Sequence, residues 1–143
     1  MRHAMKTQQH QITLDGVTFE GELPFYVSET RPELGPLTRD EDLRRFNRAV
    51  VRKIAELGLQ GPESLRFCRK IAGLGVVEFA TLLGYDRKAV QRWETGEVTV
   101  PRLAMAFAST IAQGHDRARE TIETLNAFLD EHERPTTVHV DAA

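Results

Sequence analysis

The stretch LRFCRKIAGLGVVEFATLLGYDRKAVQRWETG, residues 65–96, decides the fold. Apolar residues fall at Leu65, Cys68, Ile71 and Ala72, then at Val77, Phe79, Ala80, Leu82 and Leu83, with Gly84 closing the second group. Apolar positions three and four apart mark a helix with one buried stripe, and glycine is favoured just past a helix C-terminus. Asp86 is a good N-cap for a third helix, Arg87 to Thr95, which ends at Gly96. The pattern predicts helix, tight turn, short helix, turn, helix.

The third of these helices carries the chemistry. At 3.6 residues per turn, Arg87, Lys88, Gln91 and Arg92 share a broad polar face, with Ala89, Val90 and Trp93 on the other side. A short helix followed by a cationic, glycine-terminated helix is the arrangement of a helix-turn-helix that reads DNA. Arg can make two parallel hydrogen bonds to guanine O6 and N7, and Gln can do the same with adenine. Lys88 suits a phosphate, a contact that positions without specifying sequence. The plain alternative is a solvated cationic helix face. Trp93 is open to two readings, packing against the core or reaching the DNA backbone through its indole.

The segment resembles the Cro/phage-repressor (XRE-type) helix-turn-helix family. Arg69 stands where that family has an Arg late in its first helix. Leu74-Gly75-Val76-Val77-Glu78-Phe79-Ala80 stands for the second helix, Gly84-Tyr85-Asp86 for the turn, and Val90-Gln91-Arg92-Trp93-Glu94-Thr95-Gly96 for the recognition helix. The resemblance implies an ion pair between Arg69 and Glu94 joining the outer two helices, and a DNA-binding face at Arg87, Lys88, Gln91 and Arg92. It departs at the start of the second helix. Gly75 replaces the family's Ser/Thr cap, and Val76 replaces a Gln that commonly touches DNA.

Working outward, Thr38-Arg39-Asp40-Glu41 has the form of a capping box opening a linking helix to about Leu57. Leu43, Phe46, Val50, Ile54 and Leu57 form its apolar stripe. Arg44, Arg45, Arg48 and Arg52 lie mostly off that stripe, as a solvated face or as contacts to a DNA backbone. Gly58 and Gly61-Pro62 punctuate the link to the reader. Beyond Gly96, Pro101 starts a fourth helix with Leu103, Phe107, Ala108 and Ile111 expected inward, ended by Gly114. A fifth, Asp116 to about His132, carries Ala118, Ile122, Leu125, Phe128 and Leu129. Ile122, Leu125, Phe128 and Leu129 are a dimer or partner stripe, or else domain core. The final residues, PTTVHVDAA, are expected to fray, or to pair as a strand at Val138-His139-Val140.

The N-terminal third reads differently. Residues 1–11 lack periodicity and are expected to have no regular structure. Ile12-Thr13-Leu14 and Val17-Thr18-Phe19-Glu20 flank Asp15-Gly16, the strongest short hairpin signal, and Leu23 to Val27 reads as another extended piece. So few strands must pack on helices or on a partner. A small β-rich start, a linking helix and a Cro-type reader together resemble the MqsA-like type II antitoxins. Those carry paired zinc-binding cysteines in the N-terminal module; here the second pair would fall near Ser28 and Arg31, which cannot ligate zinc. His3, His10, His115, His132 and His139 are scattered and supply no four-ligand set, so no metal is expected.

Composition sets the limits. The chain has 143 residues, enough for one good core, and 41% hydrophobic with 28% charged residues is ordinary for a globular protein. No apolar run approaches a membrane span and no signal-peptide pattern opens the chain, so a cytoplasmic protein is expected. The lone Cys68 excludes an intramolecular disulfide and, on an apolar helix face, suits packing rather than reactivity. The net charge of −2 argues against nucleic acid until it is divided along the chain. Residues 38–114 hold 13 Lys/Arg against 9 Asp/Glu, whereas residues 115–143 hold 3 against 7. Phosphate contact depends on charge within a Debye length of ~8–10 Å, so the local positive block is what matters.

The sequence therefore predicts a mainly α protein: a five-helix Cro-type helix-turn-helix domain with a small N-terminal β element and linking helix. Its expected divisions are a β-rich, partly disordered element (1–36), a linking helix (37–60), the DNA-binding domain (61–114), and a C-terminal helix and tail (115–143). The expected function is a sequence-specific DNA-binding regulator, antitoxin-like, repressing its own operon. Expected partners are operator duplex DNA, a second copy as homodimer, and a cognate toxin. The competing reading is a protein-interaction adaptor using the same fold without DNA. No cofactor and no enzymatic activity are expected: there is no nucleotide-binding glycine loop and no nucleophile beside a His in a recognisable motif.

Overall fold

The computed structural model describes residues 6–114 and Ile122. The chain opens with an antiparallel hairpin, β1 (Lys6–Leu14) and β2 (Val17–Val27), paired from Lys6↔Phe25 to Leu14↔Val17. Asp15 and Gly16 have φ of 50° and 79°, the two positive values that a type I′ turn requires. Aspartate tolerates the first and glycine adopts the second freely. The strands are longer than expected: residues 6–11, read as irregular, form most of β1, and 23–27 continues β2. The even positions of β1 and odd positions of β2 turn inward; Leu14, Phe19 and Leu23 are buried. Across the outer face, Gln9 donates to Glu20 at 2.8 Å and the Thr13 and Thr18 hydroxyls meet at 2.9 Å. The cross-strand polar ladder was hidden because its partners are set by register, which the turn fixes. A 3₁₀ turn (Pro32–Leu34) leads to β3 (Pro36–Leu37), which pairs with the end of β2 to give the order β1-β2-β3.

Five helices follow among the described residues: α1 (Asp40–Leu57), α2 (Pro62–Ile71), α3 (Val76–Leu83), α4 (Arg87–Glu94) and α5 (Arg102–Gln113). The fold is mixed, with more helix than sheet. The anticipated capping box does not form at α1. Its N-cap is Arg39 with no side-chain hydrogen bond, which leaves Thr38 one residue too early to reach the first-turn amides. Asp40, Glu41 and Asp42 occupy that first turn instead, where the helix dipole favours negative charge.

One apolar core joins hairpin and helices. Phe46 of α1 packs against the hairpin over Gly21, where a Cβ would lie only 3.3 Å from its ring, and His10 meets it edge-on at 4.8 Å. Behind Phe46 lie Val50, Val51 and Ile54, then Leu65, Cys68, Phe79, Val90, Val100 and Ile111 from the later elements. Ile122 is helical, half-buried and packed against this core. The rest of the anticipated fifth helix, with Leu125, Phe128 and Leu129, lies outside the described residues.

Three apolar residues expected inside are exposed: Leu57 at 61%, Val77 at 60% and Leu103 at 80%. Leu57 is the last residue of α1, while Val51, off the expected stripe, is buried because β2, α2 and α5 cover a wider arc of that helix. Val77 lies two residues before Phe79, about 200° round the helix, and so points away from the core. In α5 the expected Phe107, Ala108 and Ile111 do face the core, and Leu103 alone of that set does not. The buried residues of the helix are Ala104, Met105, Ala108, Ser109, Ile111 and Ala112, mostly small side chains that let α5 lie close against α1 and α2.

Candidate nucleic-acid interface

The geometry of α4 begins at its first residue. Asp86 sits in extended conformation and its carboxylate accepts the Ala89 amide at 2.8 Å, the N-cap bond read from the sequence. Gly84, with φ of 78°, ends α3, and Tyr85 N donates to Ala80 O at 2.9 Å, so the two helices are joined by a three-residue turn, Gly84 to Asp86. Val90 and Trp93 are buried behind α4 and Ala89 is half-buried. Trp93 therefore packs, and its ring meets Tyr85 edge-to-face at 4.9 Å. Tyr85 itself is half exposed beside the start of α4. It was passed over as turn filler, although an aromatic directly before an N-cap was a visible signal.

Arg87, Lys88, Gln91 and Arg92 are all exposed on the remaining arc of α4, and none forms an ion pair among the described residues. Four residues of donor chemistry thus stand together on one short helix, with no acid among the described residues paired to them. At the start of α3, Gly75 caps without a side-chain bond and Val76 is half-buried, so that end offers no polar side chain from the cap or first position.

What holds α4 in place is a buried charge pair. Arg69 Nε donates to one Glu94 carboxylate oxygen at 2.8 Å and its Nη2 to the other at 2.8 Å. Its Nη1 donates to Leu74 O at 2.8 Å. One guanidinium therefore ties α2, the α2–α3 connection and the end of α4 together. Arg66 adds to the cluster, its Nη2 donating to Glu94 O at 3.2 Å and its Nε to Glu94 Oε1 at 3.4 Å. Both Arg69 and Glu94 are buried, and their desolvation is offset by a two-bond pairing and by a donor bond from each guanidinium nitrogen. Arg69 and Glu94 thus form the pair that the resemblance implies; Arg66 was not anticipated, though it lies three residues before Arg69 on the same helix face.

A second polar junction orients α2, and nothing in the sequence reading anticipated it. The N-cap of α2 is Gly61, which has no side chain to offer. The carboxylate of Asp15, at the hairpin tip, takes that place. It accepts from Glu63 N at 3.2 Å and Ser64 N at 2.8 Å, while Glu63 Oε1 accepts from Asp15 N at 2.9 Å. The result is a reciprocal capping box assembled across 48 positions of sequence. A Cβ on Gly61 would collide with the Asp15 carboxyl group. Asp15-Gly16 reads as a turn because its local signal is complete; its second role depends on where α2 lies.

Cys68 is fully buried on α2, and burial pushes its thiol up to about 12, which removes it as a nucleophile near neutrality. No group of three or more His, Cys, Asp or Glu residues among those described could hold a metal ion. No helix of the described residues is long and apolar enough to cross a membrane. Of the anticipated partner stripe, only Ile122 falls within the description. Comparison with protein-family models, curated proteins and solved structures found no match to this chain.

Proposed function

We propose that this chain is a sequence-reading DNA-binding regulator of the Cro type, with α4 entering the major groove. The observation that carries the reading is the exposed, unpaired set Arg87, Lys88, Gln91 and Arg92 on a helix braced from behind. Base readout needs donors held in a fixed frame, and the Asp86 cap, the Val90–Trp93 packing and the Arg69–Glu94 pair supply one. Arg87 and Arg92 suit guanine, Gln91 suits adenine, and Lys88 suits phosphate. One short helix covers few base pairs, so the proposal includes a homodimer on half-sites about 34–36 Å apart. The antitoxin-like role, repression of its own operon with a toxin as partner and a cytoplasmic location, rests on the resemblance alone.

The test is binding of the purified protein to the DNA upstream of its own coding sequence, against random duplex, with Arg87→Ala/Arg92→Ala alongside. Preferential binding that the double variant loses, with its thermal melting unchanged, supports the reading. Equal affinity for both duplexes overturns it.

One observation favours the adaptor reading instead. Val77 and Tyr85, both more than half or about half exposed, place apolar surface on α3 and the turn beside α4, where a protein partner gains more than a duplex does. A partner complex that survives Arg87→Ala/Arg92→Ala but fails with Val77→Asp would support that alternative.

A further inference from the structure

The described cations of this chain divide sharply into paired and unpaired. Arg31 meets Glu33, Arg45 lies near Glu41 and Asp42, Lys53 meets Glu56, and Arg66 and Arg69 share Glu94. Arg39 stands over the Tyr26 ring. Outside α4, the unpaired cations are scattered single residues with one exception. Arg44, Arg48 and Arg52 follow one another at intervals of four on α1, all exposed and none with an ion pair among the described residues.

This arginine ladder sits in a row that runs Asp40, Arg44, Arg48, Arg52 and Glu56, so two like-charged steps lie between two flanking acids. Neighbours four residues apart lie on the same face, where like charges repel and opposite charges attract. Between Arg44 and Lys53 the helix holds five cations and no acid. The ladder occupies the side of α1 opposite Phe46, Val50 and Ile54, so it takes no part in the core. From Arg44 to Lys53 its exposed surface includes Ala49 but no large apolar side chain. A protein hot spot sits in a well-packed, desolvated centre, and this surface has no large apolar side chain to form one around the arginines. A polyanion needs no such centre, only cations at regular intervals. The three arginines span about 12 Å along the helix, a few phosphates of one strand. The planar guanidinium fork is matched to phosphate oxygens.

We propose that Arg44, Arg48 and Arg52 bind the phosphate backbone of duplex DNA outside the base pairs read by α4. The inference rests on the DNA-binding reading given above. α1 packs chiefly on α5, α2 and β2, and α4 on α3 and α2, so the ladder and the reading face stand on separate helices that share α2 as a neighbour. The ladder therefore engages flanking duplex rather than the half-site itself. Its contribution is independent of sequence, dependent on salt and dependent on duplex length.

The experiment compares the full chain with Arg44→Gln/Arg48→Gln/Arg52→Gln on three duplexes. These are the preferred site with long flanks, the same site trimmed to its protected base pairs, and a random long duplex. On both long duplexes the variant should show a salt dependence shallower by about 2–3 in log K against log salt. Between 50 and 200 mM salt the wild type should then lose ~40-fold more affinity than the variant. On the trimmed site the two proteins should bind alike, and the ratio of preferred to random affinity should not change. Melting of the variant should be unchanged, which separates lost contact from lost fold. An unchanged slope on long duplexes overturns the ladder inference while leaving the reader intact. A loss of affinity equal on trimmed and long sites overturns the flanking placement. A wild type that prefers no sequence but binds long duplex through the ladder overturns the reader and keeps the ladder. A wild type that binds no duplex overturns both.

Discussion

Two helices of this protein start on an aspartate carboxylate, and they start differently. α4 is capped by Asp86, three residues from the amide it accepts, whereas α2 is capped by Asp15, which arrives from the hairpin tip. The first cap stabilises one helix. The second stabilises a helix and tethers the N-terminal sheet to the element that carries Arg69. The difference teaches that the β element belongs to the frame that holds α4: its tip sets the start of α2, and α2 holds α4 through the buried ion pair. A local cap can be lost with only local cost; a shared cap cannot.

The largest effect should come from breaking the pair at which both capped helices converge. Arg69→Ala leaves Glu94 buried without its partner and should cost about 3–5 kcal/mol in urea unfolding. Arg69→Met with Glu94→Leu should cost far less, because no charge is stranded. A small loss in the single variant would remove the pair as the junction.

Next come the two caps. Asp15→Gly keeps the positive-φ turn but removes two accepted amide bonds, with an expected loss of about 2 kcal/mol. Asp86→Ala should cost about 1 kcal/mol. Amide exchange distinguishes them: Asp15→Gly should lower protection in β1 and β2 as well as α2, and Asp86→Ala in α4 alone. Gly61 has the extended backbone of an N-cap, so Asp15→Gly/Gly61→Asp should restore α2 without restoring protection of the hairpin. If the hairpin recovers too, the tether is not what the Asp15 carboxylate provides.

Smaller effects are expected within α2 itself. Ser64 lends its amide to Asp15, but its buried hydroxyl has no hydrogen-bond partner. Ser64→Ala should keep the cap and raise stability by up to about 1 kcal/mol. Cys68 should leave stability unchanged at neutral pH. Its folded thiol holds a proton up to about 12, whereas the unfolded thiol releases it above its ordinary value of 9.0. Stability should therefore fall only as pH rises above 9 toward 12, and a thiol reagent should label Cys68 only on unfolding.

What could be read from the residues follows the range of the interaction. Helix periodicity, the Asp86 cap, the Asp15-Gly16 turn and the shared face of Arg87, Lys88, Gln91 and Arg92 all depend on residues within a few positions of each other. In α5, Phe107, Ala108 and Ile111 face the core as expected, whereas Leu103 is exposed and Ala104, Met105 and Ala112 take inner places that a stripe of large residues does not mark. The Arg69–Glu94 pair, 25 positions apart, was legible only through a family resemblance, since no local rule links two such residues.

Sequence by itself determined where helices and turns fall and which side chains gather on α4, because backbone preference and 3.6-residue periodicity act along the chain. Tertiary structure alone decided that the hairpin tip caps α2, that Val51 rather than Leu57 enters the core, and that the arginine ladder of α1 has no ion pair among the described residues. Each of those outcomes depends on which surfaces meet. Burial and hydrogen bonding act through space, between residues whose separation along the chain carries no signal of their contact.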